Sequence, residues 1–134
     1  MKTDKDYIDE LLAYYPLVKE RNPDKIATWP KTEIKENELV NFLVGPYYAD
    51  EVIELFKLIS QPYWCDYSYS PDTAGNMVYD DGFIKNASLD EIKTMLTYCH
   101  RGERFCSGHW EDMIIQGRLE KIFDRLVKIR QYEL

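Results

Sequence analysis

Ser88-Leu89-Asp90-Glu91-Ile92-Lys93-Thr94-Met95-Leu96-Thr97-Tyr98-Cys99-His100-Arg101-Gly102 is the stretch that decides the fold. Ser88 and Glu91 stand at capping-box spacing, where a hydroxyl and a carboxylate satisfy the first free N–H groups of a helix. Leu89, Ile92, Met95, Leu96 and Cys99 then recur every three or four residues, which lays one apolar stripe along a helix. Gly102 is a natural stop. Toward the C-terminus, Ser107 is placed to cap a further helix that turns Trp110, Met113 and Ile114 inward. Gly117 interrupts or bends it, and Leu119, Ile122, Phe123, Leu126 and Ile129 mark a last amphipathic helix. Toward the N-terminus, Asp50 opens a helix with Val52, Ile53, Phe56 and Ile59 on its apolar face, stopped by Pro62. Thr3 and Asp6 open another that carries Tyr7, Ile8, Leu11, Leu12 and Tyr15 and ends or kinks at Pro16.

The segments between are less regular. Residues 20–38 hold Asn22-Pro23 and Trp29-Pro30 and read as a long irregular connection. Residues 39–44 fit a short strand or a helical turn, and Gly45-Pro46 closes them. Residues 63–69, Tyr-Trp-Cys-Asp-Tyr-Ser-Tyr, read as an extended segment or edge strand. Residues 70–87, with Pro71, Gly75 and Asp81-Gly82, read as loop. The expectation is one compact domain over residues 1–134, mostly α, with about five helices and at most a small strand pair. Residues 1–46 form its less defined N-terminal part.

Composition narrows the function classes. No apolar run approaches the roughly 20 residues of a membrane-spanning helix. The first residues lead into an amphipathic pattern and not an apolar signal core, so the expectation is a cytoplasmic protein with no membrane partner. Cys65, Cys99 and Cys106 are an odd count and read as free thiols in a reducing compartment. The net charge of −7 disfavours a generic nucleic-acid binder, because a polyanion repels it. Residues 101–134 hold seven Lys and Arg against six Asp and Glu, whereas the rest holds ten against eighteen.

The densest cluster of reactive side chains runs from Cys99 to Trp110. Cys99, His100, Cys106 and His109 invite a zinc reading, but adjacent helical residues point about 100° apart, and only Cys106 and His109 have chelating spacing. The residues therefore call for no metal and no cofactor. A nucleophile reading takes Cys106 near a helix N-terminus with His109 as base, and lacks an orienting partner and an oxyanion hole. Arg101 and Arg104 beside the N–H groups of the next helix could hold an anion. The preferred reading is that they pair with Glu103, Glu111 or Asp112 and fix the angle between two helices, since charges near helix ends are usually solvated or paired. Arg118, Lys121, Arg125 and Lys128 form a basic stripe on the last helix, read as a solvated face with Asp124 as a pairing partner. Tyr63, Trp64, Tyr67 and Tyr69 beside Asp66 could line a recognition surface or fill the core. No Walker-type loop, dinucleotide glycine pattern, His-Glu-x-x-His or Gly-x-Ser-x-Gly occurs.

The stretch from Leu96 to Trp110, with Arg101-Gly102-Glu103-Arg104-Phe105-Cys106 at its centre and an amphipathic helix after it, resembles the C-terminal signature of a bacterial family of unknown function, DUF6508. The likeness extends loosely over residues 47–130. It implies a bacterial or phage-related cytoplasmic origin and transfers no catalytic residue.

These readings converge on a non-enzymatic module that binds a protein or a small anion. Its candidate binding residues are Trp64, Asp66, Arg101, Glu103, Arg104, Cys106, His109 and Trp110. The alternative is an enzyme, hydrolytic or nucleic-acid-processing, built on Cys106 and His109. Two placements complete the expectation: Cys99 buried on its helix, and Phe105 buried between two helices with Trp110 bracing the same junction.

Overall fold

The computed structural model describes residues 1–30 and 45–134, with eight α-helices and one two-stranded sheet among the described residues. Helix α1 (Asp4–Leu12) is opened by a capping box: Thr3 Oγ1 accepts from the Asp6 N–H, and the Asp6 carboxylate accepts from the Thr3 N–H at 2.9 Å. Pro16 does not break this helix. It lies in the first turn of the next, α2 (Tyr15–Val18), where its missing N–H costs nothing. Strands β1 (Ala27–Thr28) and β2 (Tyr47–Tyr48) pair antiparallel, Ala27 opposite Tyr48 and Thr28 opposite Tyr47. Helix α3 (Asp50–Ile59) follows, then a 3₁₀ turn at Pro62–Trp64. Next come α4 (Pro71–Val78), α5 (Asp81–Lys85) and α6 (Leu89–Arg101). After a 3₁₀ turn at Gly102–Arg104, α7 (His109–Ile115) and α8 (Arg118–Tyr132) complete the chain.

Helix α8 is the hub, packed against α1, α2, α5, α6 and α7. Its inward stripe of Leu119, Ile122, Phe123, Leu126 and Ile129 meets Ile92, Met95, Leu96 and Cys99 of α6 in one continuous core. Burying each large apolar side chain contributes about 1.5–3 kcal/mol, so these two stripes dominate the stability of the fold. The capping box at Ser88 forms as expected, with Ser88 Oγ accepting from the Glu91 N–H and Glu91 accepting from the Ser88 N–H.

Three expectations are corrected. The helix count is eight among the described residues, not about five, because residues 70–87, expected as loop, hold two helices and Tyr15–Val18 forms a separate one. Pro71 opens α4 from its first turn, and Asp80 caps α5 by accepting from the Phe83 N–H at 3.0 Å. The residues that resemble breakers are start signals. Residues 63–69 form no strand. Pro62 sets a 3₁₀ turn that drives Trp64 into the core at 1% exposure, while Tyr63 stacks on Tyr7 at 3.8 Å. The strand pair exists, but it joins Ala27–Thr28 to Tyr47–Tyr48. The ambiguous segment 39–44 lies outside the described residues. No described helix is long and apolar enough to cross a membrane.

Candidate functional site

The turn from α6 to α7 is built around two glycines and one carboxylate. Gly102 has ordinary right-handed helical geometry, so it is not a left-handed helix stop. It is glycine because the His109 imidazole lies on its Cα, and a Cβ there would overlap the ring. Gly108 has φ +91°, and a Cβ on it would come within 2.7 Å of the Trp29 indole. Glu103 folds back over the start of α7. It accepts from the Gly108 N–H at 2.9 Å, the Trp110 N–H at 2.9 Å and the Tyr48 hydroxyl at 2.7 Å. Burial, with the Glu103 hydrogen bond next in importance, pushes the Tyr48 phenol well above its ordinary pKa.

Two sequence readings change here. Ser107 does not cap α7; no side chain of the N-cap position does, and Glu103 performs that task from the preceding turn. The helix N-terminus that could have held a free anion is therefore filled by the chain's own carboxylate. Nor do the arginines pair with Glu103, Glu111 or Asp112 among the described residues. Glu103 is spent on backbone N–H groups and Tyr48, and Glu111 accepts from the Trp29 indole N–H at 3.1 Å. Among the described residues neither Arg101 nor Arg104 takes part in an ion pair.

Trp110 braces the junction as its spacing suggested. Its indole N–H donates to the His100 carbonyl at 2.9 Å, and its ring stacks on Phe56 at 4.4 Å and leans on Tyr48 at 5.0 Å. Phe105 is the opposite of its expectation: it is 84% exposed. Trp110, Phe56 and Tyr48 already fill the space between the elements, so Phe105 is turned outward. His109 is only 8% exposed, and its Nε2 has no hydrogen-bond partner among the described residues. Burial lowers its pKa below the usual histidine value, against the opposing pull of the Tyr98 carbonyl, Glu103 and Asp112. Cys106 is exposed, and no hydrogen bond joins its thiol to the His109 imidazole among the described residues. Cys99 is buried as its spacing predicts, and burial pushes its thiol pKa up to about 12.

The second half of the candidate set lies at the neighbouring end of α6. Trp64 is core and unavailable to any ligand. Asp66 accepts from the Thr94 hydroxyl at 2.7 Å and from the N–H and hydroxyl of Ser68. The Thr94 bond is the main reason its carboxyl lies below the usual range, with Arg101 adding to it. Buried Thr97 accepts from the Asp66 N–H at 2.9 Å and ties this loop to α6. Above it the Arg101 guanidinium lies over both tyrosine rings of the loop, 5.8 Å from Tyr67 and 5.4 Å from Tyr69. His100 is held below its ordinary pKa by burial first and then by the charges of Arg101 and Arg104.

The structure thus divides the eight candidates. Trp64, Glu103, His109 and Trp110 are scaffold. Asp66, Arg101, Arg104 and Cys106 are accessible in whole or part, as are Tyr67, Tyr69 and Phe105. Trp29, Tyr48 and Thr97 were missed by the sequence reading, because their partners lie 82, 55 and 31 residues away and no local pattern links them. The basic stripe on α8 is likewise half structural. Arg118 donates to the Val78 carbonyl and to Asp81, and Arg125 donates to the Ala87 carbonyl and to Glu133. Asp124, the expected partner, forms none of these ion pairs. Among the described residues no three His, Cys, Asp or Glu side chains converge as metal ligands would.

The class of protein is a mostly helical one, with one two-residue strand pair among the described residues, whose turn between α6 and α7 is held by Glu103, His109 and Trp110. The chain belongs to the family of unknown function DUF6508, whose model matches residues 3–132. No curated protein and no solved structure matches it.

Proposed function

We propose that this protein is a non-catalytic interaction module that binds a protein partner through the surface formed by Arg101, Arg104, Tyr67, Tyr69 and Phe105. The observation that carries the reading is Arg101, spread over two tyrosine rings, with a phenylalanine four residues further along the chain that is 84% exposed. Arginine and tyrosine dominate the energetics of protein interfaces, because each offers a large flat contact area with a polar tip. Holding Arg101 against two rings also lowers the entropy lost when a partner immobilises it.

The alternatives find less support. A small anion at the start of α7 would have to displace Glu103 from two backbone N–H groups. A cysteine nucleophile would need a base in reach, and His109 is buried against Gly102. The three unbridged cysteines support a reducing, cytoplasmic setting for the module.

The test is site-specific photo-crosslinking in cells. Phe105 and Tyr67 are replaced, one at a time, by a photoreactive phenylalanine analogue, with exposed Lys57 on α3 as the control position. The expected result is one shared protein adduct from positions 67 and 105, absent at 57 and lost in an Arg101→Ala background. If positions 67 and 105 capture no protein in common, the surface is not a single docking site and the reading fails.

A further inference from the structure

A separate concavity lies between α2, α5 and α8 and shares no residue with the Arg101 surface. Tyr15, Lys19, Lys85, Lys121, Lys128 and Tyr132 line an open groove of about 1020 Å³ there. Five cationic side chains line it against two carboxylates, in a chain whose net charge is −7. Two of the cations are already paired, Lys121 with Asp81 and Arg125 with Glu133, and Lys19, Lys85 and Lys128 are the remaining cations of the groove. Tyr15, Val127 and Tyr132 add apolar surface to the groove. The groove is therefore a local positive field with an apolar lining, cut into an otherwise acidic surface.

We propose that this groove binds an acidic peptide segment of a partner protein. Carboxylates would meet the lysine rim, and one or two apolar side chains would lie against Tyr15, Val127 and Tyr132. The cations do not converge on a point as a single phosphate would require. Lys121 and Lys128 are two helical turns apart, roughly 10 Å along the axis of α8. A peptide several residues long, at about 3.3 Å per residue when extended, spans that distance where a single phosphate does not. The phosphates of a double-stranded nucleic acid seated there would face the acidic remainder of a chain whose net charge is −7.

Fluorescence anisotropy on the full chain tests this. The probe is a fluorescein-labelled glutamate-rich peptide of about ten residues carrying two leucines. A second peptide has every Glu replaced by Gln, and a labelled oligothymidine of similar length is the nucleic-acid arm. We expect saturable binding of the Glu peptide at low salt and none of the Gln peptide. Binding should weaken about tenfold in the Lys85→Glu/Lys128→Glu double variant. It should be unchanged in Arg101→Ala and in Lys5→Glu/Lys57→Glu, which changes the net charge equally outside the groove. All four lysines are exposed, and thermal melts within a few degrees of wild type confirm that each variant is folded. Absence of saturation overturns the proposal. So does an equal loss in the Lys5→Glu/Lys57→Glu control, or oligothymidine binding as tight as that of the Glu peptide.

Discussion

At the residue scale, the turn between α6 and α7 depends on side chains that the reactive-cluster view would assign to chemistry. Glu103 makes three hydrogen bonds, two of them to N–H groups at the start of α7. A hydrogen bond to a charged group is worth about 1.5–3 kcal/mol, and losing this one also leaves a helix uncapped. Glu103→Ala should therefore destabilise the domain by about 2–3 kcal/mol in urea unfolding. Phe105→Ala, in contrast, should fall within about 0.5 kcal/mol of wild type, because the ring is solvent-exposed. Equal losses for the two variants would overturn this view of the turn. Gly102→Ala tests the packing from another side. Adding a methyl under the His109 ring should cost about 1–3 kcal/mol. Much of that cost should vanish when His109 is also shortened to Ala, a coupling that a double-mutant cycle reads directly.

At the element scale, His100 lies in the last turn of α6 and His109 begins α7, so the same helix junction carries both histidines in partly desolvated surroundings. Burial is the leading cause that lowers both pKa values from 6.5. The unfolded chain thus takes up protons at a pH where the folded chain still refuses them. Stability contributed by the neutral imidazoles is full above pH 6.5 and is lost as the pH falls toward the lowered folded values. Carboxylates with depressed pKa, such as Asp66 and Asp81, contribute in the same direction but only as pH falls through lower values. Urea unfolding at pH 7 and pH 5.5 should show a less stable protein at the lower pH. The difference should shrink in a His100→Asn/His109→Asn variant. A pH dependence that is unchanged in that variant would mean other groups are responsible.

At the scale of the whole molecule, one core joins all eight described helices, with α8 through its centre. Cys99 lies inside that core and Cys106 on the surface, so the two thiols report different motions of one chain. Cys106 should react with a thiol reagent at once. Cys99 should react only when the core opens, at a rate that follows global stability. Glu103→Ala should therefore accelerate Cys99 labelling and leave Cys106 unchanged. Fast labelling of Cys99 in the wild-type protein would show that α6 separates from α8 without global unfolding.

The repeats of three and four residues in Leu89–Cys99 and Leu119–Ile129, with the caps at Thr3 and Ser88, were legible because helix periodicity and capping are local. Each needs partners within four residues. The sequence by itself therefore determined the mostly α class, the two central helices and the burial of Cys99. The short helices at Pro71–Val78 and Asp81–Lys85 were not legible, because proline, glycine and aspartate serve equally as breakers and as first-turn residues. Tertiary structure alone decided the rest. Whether Glu103 would meet a guanidinium or a helix N-terminus depended on where α7 came to lie, and Tyr48 reaches it across 55 residues. Whether Phe105 or Trp110 would fill the junction depended on Phe56, which α3 brings to within stacking distance of the indole. One space admits one set of rings, and the choice between them is a property of packing among distant segments that no local pattern encodes.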